Sequence, residues 1–152
     1  MTEFEVYMHW EALQKANKHF KKAAKQKQEA IGLLVGMPKK SGEHKYIVID
    51  EYLTSENDST FVSTEFSEEA FPKLAGQLVE KHGDKIIVGW AHSHPTFGCF
   101  LSDTDLRTQK NFFPEWFHAA LVIDPVRGEK KFFKLDGYGY REASYAVIKK
   151  RG

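Results

Sequence analysis

The sequence predicts an α/β fold of the α+β kind, with a single mixed β-sheet flanked by helices. Three observations point there. Short runs rich in Ile, Val and Tyr are interleaved with amphipathic stretches, but without the regular strand–helix–strand alternation of a doubly wound sheet. Turn signals at Ser41-Gly42 and at Pro125-Val126-Arg127-Gly128 join neighbouring runs as hairpins. The 152 residues suffice for one buried core, and no internal repeat, low-complexity stretch or interdomain linker divides them. Residues 1–152 are therefore expected as a single domain, with 137–152 a less certain C-terminal tail.

In chain order, residues 4–8 alternate weakly as a short first strand. Residues 10–26 have helical period: Trp10, Leu13, Ala16, Phe20, Ala23 and Ala24 gather on one side, and Lys15, Lys18, Lys22 and Lys25 on the other. The basic side reads as a solvated face, with a docking face for an acidic partner as the sharper alternative. Lys27 would fall on the apolar side, so the helix should end near it. Residues 31–37, aliphatic and punctuated by glycine, read as a strand buried on both faces, paired across the Ser41-Gly42 turn with a strand over 46–53. A third strand is expected over 60–66. A helix follows, from near Phe71 to about Lys81 with Gly83 as its stop, because Pro72 would clash further inside it. Residues 86–91 form the next strand and 102–112 a helix. Residues 118–124 and 130–135 form a strand pair, and an element of uncertain type lies near 144–150.

Composition excludes several function classes. A formal net charge of +1 provides no global field toward nucleic acid or membrane. The start of the chain does not read as a signal peptide, and no apolar run approaches membrane-spanning length. One cysteine, Cys99, permits no internal disulfide, which fits a reducing, cytoplasmic setting.

The chemistry concentrates in residues 89–105, GWAHSHPTFGCFLSDTD. Side chains two apart on a strand share a face, so His92 and His94 can reach one ion. Ser102 and Asp105 have the spacing of a helix N-cap with a carboxylate at the third position, which would present Asp105 from the first turn. Three protein ligands with a fourth position left open is the pattern of catalytic zinc, although imidazoles and a carboxylate also suit other divalent metals. Each piece alone has a bland explanation as an ordinary surface or core histidine or a simple cap. Jointly, five specified residues in this pattern arise by chance on the order of once in 10⁴ to 10⁵ such chains. Phe97, Phe100 and Cys99 lie on the loop between the ligands and are candidate substrate contacts. A Cys99 thiol nucleophile beside the two histidines is the rival chemistry.

His92-Ser93-His94-Pro95, six residues, then Ser102-x-x-Asp105 resembles the motif of the JAMM, or MPN-plus, metalloprotease family. Glu29-Ala30-Ile31-Gly32 and the residues after it resemble that family's upstream glutamate element. Gly98-Cys99, Leu101 and Thr108-Gln109 resemble the branch holding the deubiquitinating subunits of the proteasome lid and the signalosome. The resemblance spans roughly residues 4–135, and only the motif is highly specific. It implies a sandwich similar to that of cytidine deaminases, with one Zn²⁺ per chain on His92, His94 and Asp105. Glu29 would be the acid–base group and Ser102 the donor to the oxyanion. Sequence alone does not single out Glu29, since the chain has many carboxylates. Its implied place is across the metal from the three ligands.

The implied function is a zinc isopeptidase that cleaves ubiquitin or a ubiquitin-like modifier after its C-terminal glycine, from a lysine or a fused peptide. Residues 54–66 are the candidate for receiving the modifier's tail. Alternatives are a processing peptidase for a sulfur-carrier or small-modifier precursor, and a non-catalytic scaffold module. A zinc deaminase fits poorly, because its ligand set needs more cysteines. Lacking the lid subunits' long helical extension and an insertion after Asp105, the chain reads as free-standing, with a homodimer or an accessory protein left open.

Overall fold

The computed structural model describes residues 3–54, 75–76, 80–81 and 83–149. Among the described residues the bounded elements are β1 (Val6–His9), α1 (Trp10–Lys25), β2 (Ile31–Ser41), β3 (His44–Leu53), β4 (Ile86–Ser93), α2 (Asp103–Phe112), β5 (Ala119–Asp124), β6 (Glu129–Asp136), β7 (Gly139–Ala143) and β8 (Tyr145–Ile148). The strands form one mixed sheet in the order β7-β6-β5-β4-β2-β3-β1-β8. Both hairpins form where the turn residues predict them, β2 with β3 and β5 with β6, each antiparallel. The anticipated 60–66 strand and most of the 71–81 helix lie outside the described residues, although Ala75, Gly76, Glu80 and Lys81 are helical.

The C-terminal segment differs from expectation. The described part of the segment expected as a tail, 137–149, supplies both edges of the sheet. β7 pairs antiparallel with β6 at one edge and β8 pairs parallel with β1 at the other. Only Ser144 separates them. One residue spans under 4 Å, so the two edges must meet and the sheet curls on itself. Glu5 fastens this seam. Its carboxylate accepts from Arg141 at 2.6 and 2.9 Å and from the Ser144 backbone N–H at 3.1 Å, while Val6 N–H donates to Ser144 O at 3.1 Å. The strands are short and largely half-exposed, so their local pattern is weak; closure depends on pairing over 139 residues of separation.

The curl separates two apolar cores. One holds α1 residues Leu13, Ala16 and Phe20 against Val6, Ile47, Tyr52 and Leu121. The other, on the α2 side, holds Ile31, Leu33, Trp90, Leu101, Phe113 and Val122. Gly89 lets β4 and β5 approach closely, since a Cβ there would sit 1.9 Å from Ala119 O. Two positions on α1 depart from the expected face. Trp10 is 44% exposed at the helix start, with Lys149 Nζ over its ring. His19 is buried, because its Nδ1 finds the Tyr52 hydroxyl at 2.7 Å, and a satisfied polar group can go inside. The lysines Lys15, Lys18, Lys22 and Lys25 are exposed as anticipated.

Helix α1 ends where Lys27 was expected to break it. Lys27 takes a left-handed φ of 56°. Its N–H donates to Ala24 O, and Gln28 N–H donates to Ala23 O, the paired bonds of a Schellman cap. This turn delivers Gln28 and Glu29 directly to the start of β2.

Candidate active site

β4 lies inside the sheet, antiparallel to β2 and parallel to β5. Its Trp90 and His92 point into the α2-side core, as the two-residue period of a strand requires. His92 is fully buried and His94, one residue past the strand end, is nearly so. His94 N–H donates to Ile123 O on β5 at 2.9 Å, which carries the strand-like alternation one residue further.

Asp105 reaches both histidines from the first turn of α2. His92 Nε2, His94 Nε2 and Asp105 Oδ2 are 3.0 Å apart, pair by pair. The helix start fixes that carboxylate through a full capping box: Ser102 Oγ accepts from Asp105 N–H at 3.1 Å, and Asp105 Oδ2 accepts from Ser102 N–H at 3.0 Å. Burial alone would raise the Asp105 pKa, but its hydrogen bonds to His92 and His94 hold it far below the carboxylate range. Burial lowers the His92 pKa against the opposing pull of Asp105, which favours the neutral ring.

The remaining atoms of the three side chains sharpen this. His92 Nδ1, His94 Nδ1 and Asp105 Oδ1 are buried with no hydrogen-bond partner among the described residues. With no proton between them, the ring-nitrogen and carboxylate lone pairs turned toward one point repel one another, and a cation there relieves that repulsion. Putting protons on both Nε2 atoms sets two N–H groups against each other. The donor set therefore fits a divalent metal with nitrogen and oxygen preferences, zinc among them.

Residues 3–113 match the protein family described as "JAB1/Mov34/MPN/PAD-1 ubiquitin protease". The chain belongs to this family. Among similar proteins is "Ubiquitin carboxyl-terminal hydrolase RPN11" of Saccharomyces cerevisiae, 34% identical over 139 residues, covering 90% of this chain and 44% of that protein. Another is "COP9 signalosome complex subunit 5" of Candida albicans, 39% identical over 111 residues, covering 68% of this chain and 17% of that protein. The chain thus spans less than half the length of these curated relatives. The solution structure of protein DSY2949 from Desulfitobacterium hafniense is similar in fold, with a TM-score of 0.69 at 20% identity, covering 95% of this chain and 94% of that one.

In this JAB1/Mov34/MPN/PAD-1 domain most of the candidate residues come together, including Glu29, to which only the family resemblance pointed. Glu29, His94, Phe97, Phe100 and Ser102 line one 220 Å³ cavity, and Glu29 and Phe97 also line an adjoining 750 Å³ groove. Glu29 is placed through its neighbour Ala30, which Ser93 holds by two hydrogen bonds. Ser93, between the two histidines, accepts from Ala30 N–H through its hydroxyl at 2.9 Å and donates its own N–H to Ala30 O at 3.0 Å. Its position inside the His-x-His step was the available signal. Burial raises the Glu29 pKa; His94 pulls it down and Asp105 pushes it up.

The aromatic loop residues divide. Phe100 is half-exposed with its ring 4.8 Å from that of His94, and Phe97 is 66% exposed. Cys99 belongs neither to the His92–His94–Asp105 group nor to the lining of the two hollows. Its Sγ donates to Val122 O at 3.3 Å, and burial pushes the thiol pKa up, which disfavours the thiolate a nucleophile needs. Trp90 and Gln109 were also not anticipated at the site. The indole stacks on His92 with ring centres 4.3 Å apart and donates to Gln109 Oε1 at 2.5 Å. The tail-receiving segment expected over 54–66 lies outside the described residues, apart from Thr54.

Proposed function

We propose that this chain is a zinc-dependent isopeptidase, or peptidase, that cleaves ubiquitin or a ubiquitin-like modifier after its C-terminal glycine, from a lysine or a fused peptide. The observation that carries this reading is the convergence of His92, His94 and Asp105 at 3.0 Å beside a cavity walled by Glu29 and Ser102. The names of the relatives supply the modifier class.

His92, His94 and Asp105 would hold one Zn²⁺ per chain. Bound there, zinc would supply Lewis acidity toward a carbonyl and lower the pKa of water to about 7. The protein's own groups do the rest. The Glu29 carboxylate accepts a proton as a water oxygen bonds to the scissile carbonyl carbon. It returns that proton to the leaving nitrogen as the carbon–nitrogen bond breaks, so the products are the modifier's carboxylic acid and a free amine, between which the remaining proton passes to give carboxylate and ammonium. A raised pKa suits both halves of this transfer. Ser102 Oγ already accepts from Asp105 N–H, which leaves its own proton to donate to the oxygen that gains charge. Phe97 and Phe100 flank the cavity and contact the chains on either side of the bond. The substrate conjugates, and a cytoplasmic site of action, follow from this reading.

The deciding experiment is a panel of modifier fusions and isopeptide conjugates, incubated with wild type and Glu29→Gln, with and without chelator. Cleavage after the terminal glycine, lost in Glu29→Gln and lost on chelation, is the expected result. Full metal occupancy with no cleavage of any substrate would leave the scaffold reading standing instead.

A further inference from the structure

Asp124, the last residue of β5, has a carboxylate with no solvent exposure that accepts four backbone hydrogen bonds. Two are local: Val126 and Arg127 N–H donate to Oδ1, each at 3.0 Å, forming the β5–β6 turn. That is ordinary for an aspartate at a turn. The other two cross to a different loop: Thr96 N–H donates to Oδ1 at 3.0 Å and Gly98 N–H donates to Oδ2 at 2.9 Å. These residues flank Phe97, and both occupy the left-handed region, with φ of 70° for Thr96 and 81° for Gly98. For threonine that conformation is unfavourable and persists only when its surroundings impose it. A buried carboxylate without compensating donors would itself be costly. Asp124 thus holds the loop, while the Thr96 and Gly98 amides join the two turn amides and the Arg127 guanidinium, its Nε 3.7 Å from Oδ2, in compensating the buried charge.

Resting on the hydrolase reading, we propose that Asp124 is a positioning residue that clamps the 95–98 loop so that Phe97 stands as a fixed ridge between the two substrate-binding hollows beside Glu29. Phe97 is the loop residue common to both hollows. With the clamp in place its side chain, 66% exposed, is presented to substrate without an ordering cost at binding. The clamp does not touch the metal group directly, so it acts on substrate affinity.

The test is a double-mutant cycle between Asp124→Asn and Phe97→Ala on zinc-loaded protein, with hydrogen exchange followed at Thr96 and Gly98. In Asp124→Asn the side-chain amide keeps one accepting oxygen, while its NH₂ group opposes a backbone donor. The expected result is faster exchange at Thr96 and Gly98 and a KM raised about tenfold, the factor for one lost hydrogen bond to a charged group. Zinc content and kcat stay unchanged, and the KM effect disappears in the Phe97→Ala background. A purely structural aspartate would lower thermal stability without that coupling. Should Asp124→Asn fail to fold, Gly98→Ala strains the same loop at φ 81° and gives the same Phe97-dependent KM shift. Unchanged exchange at both amides, or a KM shift that persists undiminished without Phe97, overturns the proposal. Should wild type cleave nothing, the hydrolase reading fails by itself. The cycle is then read as the Kd for ubiquitin, where absence of binding or of Phe97 coupling overturns the clamp as well.

Discussion

Ser102 and Asp105 hold each other reciprocally: the hydroxyl of one accepts from the backbone of the other at 3.1 Å, and the carboxylate returns the bond at 3.0 Å. The same Oδ2 lies 3.0 Å from both histidines. A helix cap, the proposed metal ligand and the proposed oxyanion donor thus form one small structure, and changing one member should affect the others in a predictable order.

Ser102→Ala removes the hydroxyl but not the Ser102 backbone donor to Asp105. Stability should fall by about 1 kcal/mol, the usual value of a serine cap. Loss of the oxyanion donor should lower kcat by roughly 10² to 10³, with zinc content unchanged. Denaturant titration, metal analysis and steady-state kinetics on one preparation check all three.

Glu29→Gln removes the proton carrier while leaving the Ser93–Ala30 hydrogen bonds that place the residue. The expected loss in kcat is about 10² to 10⁴, with metal retained and stability within roughly 0.5 kcal/mol of wild type. A Glu29→Gln enzyme that cleaves as fast as wild type would remove Glu29 from the chemistry.

Trp90→Phe keeps the ring over His92 but deletes the indole N–H, leaving the buried Gln109 Oε1 without that donor. An orphaned buried acceptor costs about 1 to 3 kcal/mol. Thermal unfolding should register this, while zinc affinity changes by less than about tenfold, because the stacked ring remains.

The seam makes stability depend on pH. The hydrogen bond from Arg141 lowers the Glu5 pKa from its ordinary 4.5, against the upward push of partial burial. A lowered folded-state pKa contributes stability that is full above the unfolded value and is lost as pH falls through the folded one. The stability difference between wild type and Glu5→Gln should therefore be roughly constant above pH 4.5, at about 1 kcal/mol for a half-exposed pair, and should shrink below it. A difference that does not change between pH 7 and pH 3 would contradict this assignment.

What the sequence disclosed follows from the range of each interaction. The Ser102 cap, the Lys27 break and the two hairpin turns depend on neighbours a few residues away, so their signals are local. His92 and His94 share a face because a strand has period two, which is also local. Glu29 is different. Its place beside the histidines depends on the β2–β4 register, with Ile31 opposite His92, a pairing across 61 residues that local patterns do not encode; only family resemblance reached it. Strand β7 leaves no local sign and β8 only that of an element of uncertain type near 144–150, because their exposed and half-exposed residues carry no apolar alternation and their partners lie far away in sequence. Asp124 was invisible for a related reason: an aspartate before proline reads as a turn residue, and nothing nearby reveals that it also holds Thr96 and Gly98.

The central claim is that His92, His94 and Asp105 hold a metal on which cleavage depends. The most direct measurement is metal stoichiometry by mass spectrometry on wild type and His92→Ala, paired with cleavage before chelation, after it, and after zinc is restored. The expected result is about one zinc per chain in wild type, little in His92→Ala, and activity that disappears and returns with the metal. A wild-type chain that binds no metal, or one that still cleaves at full rate when metal-free, would contradict it.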